Sequence, residues 1–148
     1  MAIFRFKLKT IHRLKSQIED QAKNRFGLAV AALNEEIRKL NVIKGVIAAT
    51  VDEFRTLSGG RFTAGKIKDY NYFIELMKER AAIQKLAVEE ATEAVNRARE
   101  ALIAAARQRE MFDKLRERAF TRHMAEERRA EHRATDELVS YRGNSSYK

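Results

Sequence analysis

A heptad repeat runs without a break through the second half of the chain. Its a and d positions, read from residue 67, are Ile67, Tyr70, Ile74, Met77, Ala81, Gln84, Val88, Ala91, Val95, Ala98, Leu102 and Ala105. Such a 3-4 spacing, held over more than five heptads, predicts a coiled coil rather than a compact globular domain. Because a long coiled coil offers no concave pocket for chemistry, the pattern favours a role in reaching, bridging or docking.

The composition agrees with long helices in a reducing compartment. The 148 residues include no proline and no cysteine, and 34% of them are charged. Without proline the chain has no intrinsic helix breaker, and without cysteine it has no disulfide and no thiolate metal site. No apolar run is long enough to cross a bilayer, and charges interrupt the N-terminus where a secretory signal would be apolar. We therefore expect a cytoplasmic chain.

The Ser58-Gly59-Gly60 segment supplies the one strong break in the helical pattern. A glycine in the left-handed conformation ends a helix, and Thr63 is placed to cap the next one. We predict a first helix over residues 3–57, a turn at 58–62, a second helix over 63–141 and a disordered tail at 142–148. Two helices joined by a short turn run antiparallel. The predicted fold is a single all-α domain, an antiparallel two-helix coiled-coil hairpin whose second helix extends beyond the first.

The line of side chains along which the helices pack, here called the seam, is less regular in the first helix. It is predicted to run through Phe4, Leu8, Ile11, Lys15, Ile18, Ala22, Phe26, Ala29, Leu33, Ile37 or Glu36, Leu40, Ile43, Ile47, Thr50, Phe54 and Leu57. Between residues 18 and 29 the spacing becomes 4-4-3, a stutter that would locally unwind the supercoil. Folding at the turn would pair Phe4 with Leu115 or Arg116. The second helix from Arg118 onward would then have no partner within the chain.

Charge is concentrated at the two ends that this folding brings together. The net charge is +9, and residues 1–15 carry five Lys or Arg and no acid. The a and d positions of the second helix also turn polar beyond residue 105. A tip of long charged side chains suits insertion into a polar protein channel. Bases interleaved with acids are not the continuous basic block of a nucleic-acid reader, so we do not predict nucleic-acid binding.

A second apolar stripe lies outside the seam, early in the second helix. Tyr72, Leu76, Ile83 and Leu86 occupy outward c and f positions, and Phe73 flanks the seam. A contiguous exposed stripe with two aromatic residues favours a protein-docking site. Burial by a third helix or by a second copy of the chain is the alternative.

No catalytic or cofactor site emerges from the sequence. His123 and Glu127 have i,i+4 spacing and His132 follows, but arginines surround them in an exposed segment, so we predict no metal site. Gly59-Gly60 lacks the spacing of a phosphate-binding loop. We expect a protein that is not an enzyme, with no cofactor and no small-molecule substrate.

Three segments, in order along the chain, carry a family resemblance. They are Phe4-Arg-Phe-Lys-Leu8 with Ile11-His-Arg13-Leu14, the Gly59-Gly60 turn with Tyr70-Asn-Tyr-Phe73-Ile, and Arg128-Arg129-x-Glu131 with Asp136-Glu137-Leu138. They resemble the start, the turn region and the charged C-terminal end of the FliJ family, small proteins of the bacterial flagellar type III export apparatus. The resemblance covers essentially the whole chain.

The resemblance implies a stalk-like coiled coil that binds the hexameric flagellar export ATPase and the cytoplasmic domain of the membrane export gate. It also implies association with export chaperones and a peripheral place at the inner membrane. The gate contact carries over to Phe73 and Met77, beside the stripe of Tyr72, Leu76, Ile83 and Leu86. The ATPase contact carries over to the chain ends, at Phe4, Arg5, Lys7, Arg13, Leu115, Arg118 and Arg122.

Two other functions stay open at this stage. One is the equivalent stalk of a virulence-type secretion system, and the other is a structural or dimerising coiled coil that uses the outward stripe as its interface. We expect a monomer.

Overall fold

The computed structural model describes residues 3–57, 60 and 63–145, and within them two helices are the only regular elements. Helix α1 spans Lys9–Leu57 and helix α2 spans Ala64–Ser145. Both helices are long because helix-forming residues follow one another without a proline. The predicted all-α class, with two packed helices, is confirmed.

The helix bounds differ from prediction at both ends of the chain. Helix α1 begins at Lys9 rather than near residue 3, and residues 3–6 have no regular structure. Helix α2 continues to Ser145, so residues 142–145 are helical rather than part of a disordered tail. Arg142 lies in its last turn, where a cation favours the negative end of the helix dipole. The last three residues lie outside the described residues.

The turn is described only in part, since residues 58, 59, 61 and 62 of the predicted 58–62 lie outside the described residues. The Gly60 N–H donates to the Leu57 carbonyl at 2.9 Å. A Cβ at Gly60 would lie 3.3 Å from that carbonyl oxygen. The cap at Thr63 is confirmed, because its Oγ1 accepts a hydrogen bond from the Lys66 N–H at 3.3 Å.

The contacts divide the chain into two compact units. Unit 1 is formed by Met1–Gln21 and Ile103–Lys148, and unit 2 is Ala22–Leu102. In unit 2, Phe54 stacks on Tyr70 with ring centroids 4.0 Å apart, and farther from the turn the Arg99 guanidinium lies over the Phe26 ring. Residue numbers fall along α1 as they rise along α2, so the helices of this unit are antiparallel.

The seam of unit 2 follows the predicted heptads. Ile74, Met77, Ala81 and Val95 are buried, and the intervening a and d residues are half-buried. Ile67, next to the turn, is exposed instead. Of the two alternatives at 36 and 37 in α1, Glu36 faces the seam. Its carbonyl and its carboxylate accept hydrogen bonds from the Gln84 amide, which occupies a d position.

In unit 1 the seam of α1 lies one residue later than predicted at two positions, while Leu8 and Lys15 lie in it as predicted. His12 is half-buried and Glu19 is buried, while Ile11 and Ile18 are 43% and 40% exposed. With these residues the seam runs through Leu8, His12, Lys15, Glu19, Ala22, Phe26, Ala29, Leu33, Glu36, Leu40, Ile43, Ile47, Thr50 and Phe54. The spacing then alternates between 4 and 3 throughout, so the predicted stutter was wrong. It arose from assigning isoleucines to positions that ionisable residues occupy.

Unit 1 is antiparallel as well, but Phe4 lies farther along α2 than Leu115 or Arg116. Its ring packs against Phe120, with centroids 5.2 Å apart, and against His123. The reason is that residues 3–6 are not helical, and a non-helical chain advances about 3.3 Å per residue against about 1.5 Å in a helix. The exposed part of α2 therefore begins later than Arg118, and every residue from 128 to 145 is exposed.

The core role of Met77 is testable against a nearby exposed residue. Met77 is 8% exposed, whereas Ile83 is 68% exposed. We expect Met77→Ala to lower the free energy of unfolding by about 2 kcal/mol through lost packing. Ile83→Ala should change it by less than about 0.5 kcal/mol. Urea unfolding followed by circular dichroism measures both, and equal midpoints for the two variants would contradict the assignment.

Candidate functional site

The first described residues of unit 1 form a strap, residues 3–8, that packs its two phenylalanines on histidines. Phe4 contacts the ring of His123 at 5.5 Å and the edge of Phe120. Phe6 meets the ring of His12 edge-on, with centroids 6.0 Å apart. Both phenylalanines are half-buried, whereas Ile3, Arg5 and Lys7 are exposed. The strap thus packs its two rings inward and leaves its basic side chains exposed.

Beneath the strap, four ionisable side chains form an ionic layer across the seam: His12, Glu19, Arg109 and Asp113. His12 Nε2 lies 2.6 Å from Asp113 Oδ1. Arg109 Nη1 donates to Asp113 Oδ2 at 2.5 Å, and Arg109 Nε donates to the Glu19 carboxylate. Glu19 is only 5% exposed, and Arg109 compensates its charge from the facing helix.

The ionic layer shifts the protonation of its members. The hydrogen bond with His12 lowers the pKa of Asp113, and the hydrogen bond and charge of Arg109 lower it further. The hydrogen bond to Glu19, with that to Asp113, raises the pKa of Arg109. In unit 2, the hydrogen bond from Gln84 likewise lowers the pKa of Glu36. For both Asp113 and Glu36, the largest contribution to the lowered pKa is a hydrogen bond with a residue of the opposite helix, which favours the ionised carboxylate.

The residues predicted for the ATPase contact line two grooves that the strap helps to form. One groove of about 630 Å³ is lined by Phe4, Arg5, Phe6, Lys9, His12, Arg13, Ser16 and Arg116. The other, of about 680 Å³, is lined by Phe4, Arg5, Phe6, Lys7, Leu8, Leu115, Arg118, Ala119, Arg122, His123 and Glu126. All seven predicted residues are therefore brought together, and Phe4 and Arg5 line both grooves.

A basic collar surrounds these grooves, comprising residues 3–15 of the N-terminal segment and residues 113–122 of α2. It contains nine Lys or Arg residues and two acids. One of those acids, Asp113, is engaged in the ionic layer. Farther along α2, residues 126–142 contain four bases and five acids. The positive charge of the chain is therefore concentrated in the collar rather than along the C-terminal extension.

The residues predicted for the gate contact divide between surface and core. Tyr72, Ile83 and Leu86 are 71%, 68% and 65% exposed, while Phe73 and Leu76 are half-buried. Met77 is buried in the seam of unit 2, as its d position indicates. Its side chain therefore belongs to the core and not to the exposed stripe.

Residues 3–57, 60 and 63–145 contain no candidate metal site of His, Cys, Asp and Glu side chains and no candidate membrane-spanning helix. No three His, Cys, Asp or Glu side chains there are grouped to hold a metal ion. His123 Nε2 lies 3.5 Å from Glu127 Oε1, but this pair has no third ligand of that kind. In the same part of the chain, no helix is long and apolar enough to cross a bilayer.

Sequence reasoning missed the ionic layer, although a signal for it was present. Arg109 falls on the continuation of the α2 heptads, at the point where a and d positions become polar. An arginine in a seam needs a carboxylate to compensate its charge. Glu19 supplies this carboxylate to Arg109 from the facing helix α1. The prediction placed the apolar Ile18 in the seam instead of its neighbour Glu19.

The ionic layer predicts a pH dependence with a definite sign. Because the pKa of Asp113 is lowered in the folded state, its charge stabilises the fold above its ordinary pKa of about 3.9, and this contribution is lost as the pH falls through the folded value. We expect the Asp113→Asn variant to be less stable near neutral pH and to lose less of its stability than the parent between about pH 5 and about pH 2. Thermal unfolding across this range measures the difference. Asp136→Asn, on the exposed end of α2, is the matched control, and identical pH profiles for parent and Asp113→Asn would contradict the role.

Comparison with known proteins gives one family and one fold relative. The family model described as the flagellar FliJ protein matches residues 4–147. The structure described as that of a YscO homolog, CT670 from Chlamydia trachomatis, superposes with a TM-score of 0.64 at 20% sequence identity, over 93% of this chain and 94% of that one. At this identity the likeness concerns the fold alone. No curated protein sequence matches significantly. Since the family model covers nearly the whole chain, the chain belongs to the FliJ family, and it is a protein of the type III export apparatus.

Proposed function

We propose that this chain is a non-enzymatic stalk that binds the ring of the flagellar export ATPase through the collar of unit 1. Through the exposed stripe of unit 2 it would contact the cytoplasmic domain of the export gate. In this role the protein works in the cytoplasm, associates with the inner membrane through the export apparatus, and can escort export chaperones. Family membership supports the general role, and the two surfaces support the particular contacts.

The observation that carries the ATPase contact is the convergence of cations and aromatic rings in unit 1. Phe4 and Phe6 anchor the strap, and the bases around them are exposed. A single-sign collar of this kind attracts a complementary acidic surface over a distance of about one Debye length, about 8 Å at physiological salt. The hydrogen-bonded ionic layer beneath holds the collar in one arrangement.

The ATPase contact is tested by titrating the chain into its organism's export ATPase. We expect binding at well below one chain per ATPase subunit, with stimulated ATP hydrolysis. Arg118→Glu with Arg122→Glu should weaken this binding by at least about tenfold, because reversal removes attraction and adds repulsion. Both arginines are exposed, so helicity should be retained.

Lys78→Glu with Lys85→Glu is the matched control, since it changes the net charge equally in unit 2. Equal weakening by both double variants would mean that overall charge, rather than the collar, drives binding. Absence of any binding or stimulation by the parent chain at micromolar concentration would refute the ATPase contact.

The gate contact rests on the stripe that unit 2 leaves exposed. Tyr72, Leu76, Ile83 and Leu86 follow one another at spacings of four, seven and three residues, so they lie on one face of α2. A tyrosine and two aliphatic side chains, each more than 60% exposed, are typical anchors of a protein interface. Met77, which the family resemblance implied as a contact, is replaced in this proposal by its exposed neighbours.

The gate contact predicts a large effect of Tyr72→Ala with Leu86→Ala. We expect affinity for the purified cytoplasmic domain of the gate to fall by at least about tenfold, because two anchors are removed, while helicity is unchanged. Leu28→Ala with Val42→Ala removes exposed apolar side chains from α1 and serves as the control. If both pairs left gate affinity intact, the stripe would not be the contact.

The same variants address the dimerising alternative, in which the stripe joins two copies of the chain. Light scattering of the parent chain over a range of concentrations should give the mass of a monomer. A concentration-dependent doubling that Tyr72→Ala with Leu86→Ala abolishes would support a dimer interface in place of the gate contact. For the choice of secretion system, the match to a flagellar family model favours the flagellum over the virulence-type apparatus.

A further inference from the structure

Two histidines of unit 1 contact the phenylalanine rings of the strap. The ring of His123 lies 5.5 Å from that of Phe4, and the ring of His12 lies 6.0 Å from that of Phe6, measured between centroids. Both histidines are half-buried. Histidine is the side-chain type whose charge changes between about pH 5 and about pH 8. The strap is therefore packed on two groups of the kind that changes charge near neutral pH.

Each of these histidines also faces a carboxylate of α2. His12 Nε2 lies 2.6 Å from Asp113 Oδ1, and this hydrogen bond lowers the pKa of Asp113. His123 Nε2 lies 3.5 Å from Glu127 Oε1, a buried oxygen that accepts no hydrogen bond from any described residue. A proton taken up by each ring gives Asp113 a charge-assisted hydrogen bond and gives Glu127 a compensating charge. The two carboxylates thus favour the positive form of the rings.

The other charges near the two rings oppose this effect only weakly. Arg109, which also bonds to Asp113, is itself paired with Glu19. The remaining charged groups line the grooves beside the rings: Arg5, Lys9, Arg13 and Arg116 near His12, and Arg5, Lys7, Arg118, Arg122 and Glu126 near His123. All of them are exposed, so water and salt screen their charges. The carboxylates, at 3.5 Å or less, are the charges that decide the sign.

We propose that docking of the strap is controlled by pH, being tighter when His12 and His123 are positively charged and looser when both are neutral. A positive imidazolium is attracted to the electron-rich phenylalanine ring more strongly than a neutral imidazole is. Because Phe4 and Phe6 belong to the strap, protonation of the two histidines strengthens its contacts. By linkage, docking strengthens as the pH falls through the range in which the histidines take up protons and weakens as the pH rises.

Loosening of the strap changes the surface of unit 1. Phe4 and Arg5 line both grooves of the collar, so neither groove keeps its shape when the strap leaves α2. The contact between Phe4 and Phe120 is uncharged, and it holds part of the population docked at any pH. The response to pH is therefore a graded shift in the docked fraction. It is a property of the chain alone and does not depend on the proposed ATPase contact.

Electron paramagnetic resonance of the spin-labelled full chain tests the proposal. The chain has no cysteine, so Arg5→Cys places a single nitroxide between the two phenylalanines of the strap. Its spectrum separates restricted, docked straps from mobile ones. From about pH 8 to about pH 5.5 the docked-to-free ratio should rise at least about fourfold, because each of the two cation–ring contacts contributes a factor of about two to five. A label at Tyr141→Cys, on the exposed end of α2, should show no such change.

Glutamine substitutions identify the groups responsible. His12→Gln with His123→Gln should abolish the rise, because glutamine keeps a polar side chain but does not titrate. His123→Gln alone should retain part of it through His12. The matched control is His132→Gln, which changes an exposed histidine of α2 and should respond as the parent does. Circular dichroism checks that each variant keeps its helices. His123 lies outside the ionic layer, so the single variant remains informative where the double variant loses helicity.

Three outcomes would overturn the proposal. The first is a docked fraction that does not change with pH. The second is a docked fraction that rises with pH, which would mean that the cations of the grooves outweigh the carboxylates. The third is a response that persists undiminished in the His12 and His123 variants, because another titrating group, such as the N-terminal amine, would then control the strap.

Discussion

The arrangement of unit 1 depends on the pairing of Arg109 with carboxylates. A guanidinium in a seam loses water contacts, and that loss must be offset by charged acceptors within hydrogen-bonding distance. Glu19 and Asp113 supply them, and His12 completes the layer from α1. Since His12 and Glu19 lie seven residues apart, two turns of α1 are oriented together by this layer. The rotation of α1 about its axis follows, and with it the set of residues that each side of unit 1 presents.

How far sequence reasoning reached can be seen by comparing the two units. In unit 2 the heptads of α2 gave the seam correctly because apolar residues fill it, as Ile74, Met77 and Val95 show. In unit 1 the rule that apolar residues face inward failed at Ile11 and Ile18, because paired charges occupy the seam. The strap was missed for another reason. Its alternation of Phe and Lys or Arg over residues 4–7 is too short to distinguish an extended segment from the first turn of a helix.

The candidate surfaces were predictable to different degrees. The cations of the collar were identified because charge composition is visible in the sequence and antiparallel folding brings the chain ends together. The division of these cations between two grooves was not predicted, since it depends on the path of the strap across α2. Of the residues proposed for the gate at outward heptad positions, Tyr72, Ile83 and Leu86 are exposed and Leu76 is half-buried, while Met77 at a d position is buried. Where family resemblance and heptad position disagreed about exposure, heptad position agreed with the structure.

The ionic layer also accounts for the surface chemistry of unit 1. A seam filled by Ile11 and Ile18 would pack more apolar area, and replacing a buried ion pair by apolar residues often costs a protein no stability. Using His12 and Glu19 instead turns these isoleucines outward, where they are 43% and 40% exposed. Glu19 is drawn into the seam together with the Arg109 cation that it pairs with, so this exchange withdraws one charge of each sign from the surface. A single choice of seam residues thus sets which apolar side chains unit 1 exposes, while the positive charge of the collar comes from the Lys and Arg residues of its two segments.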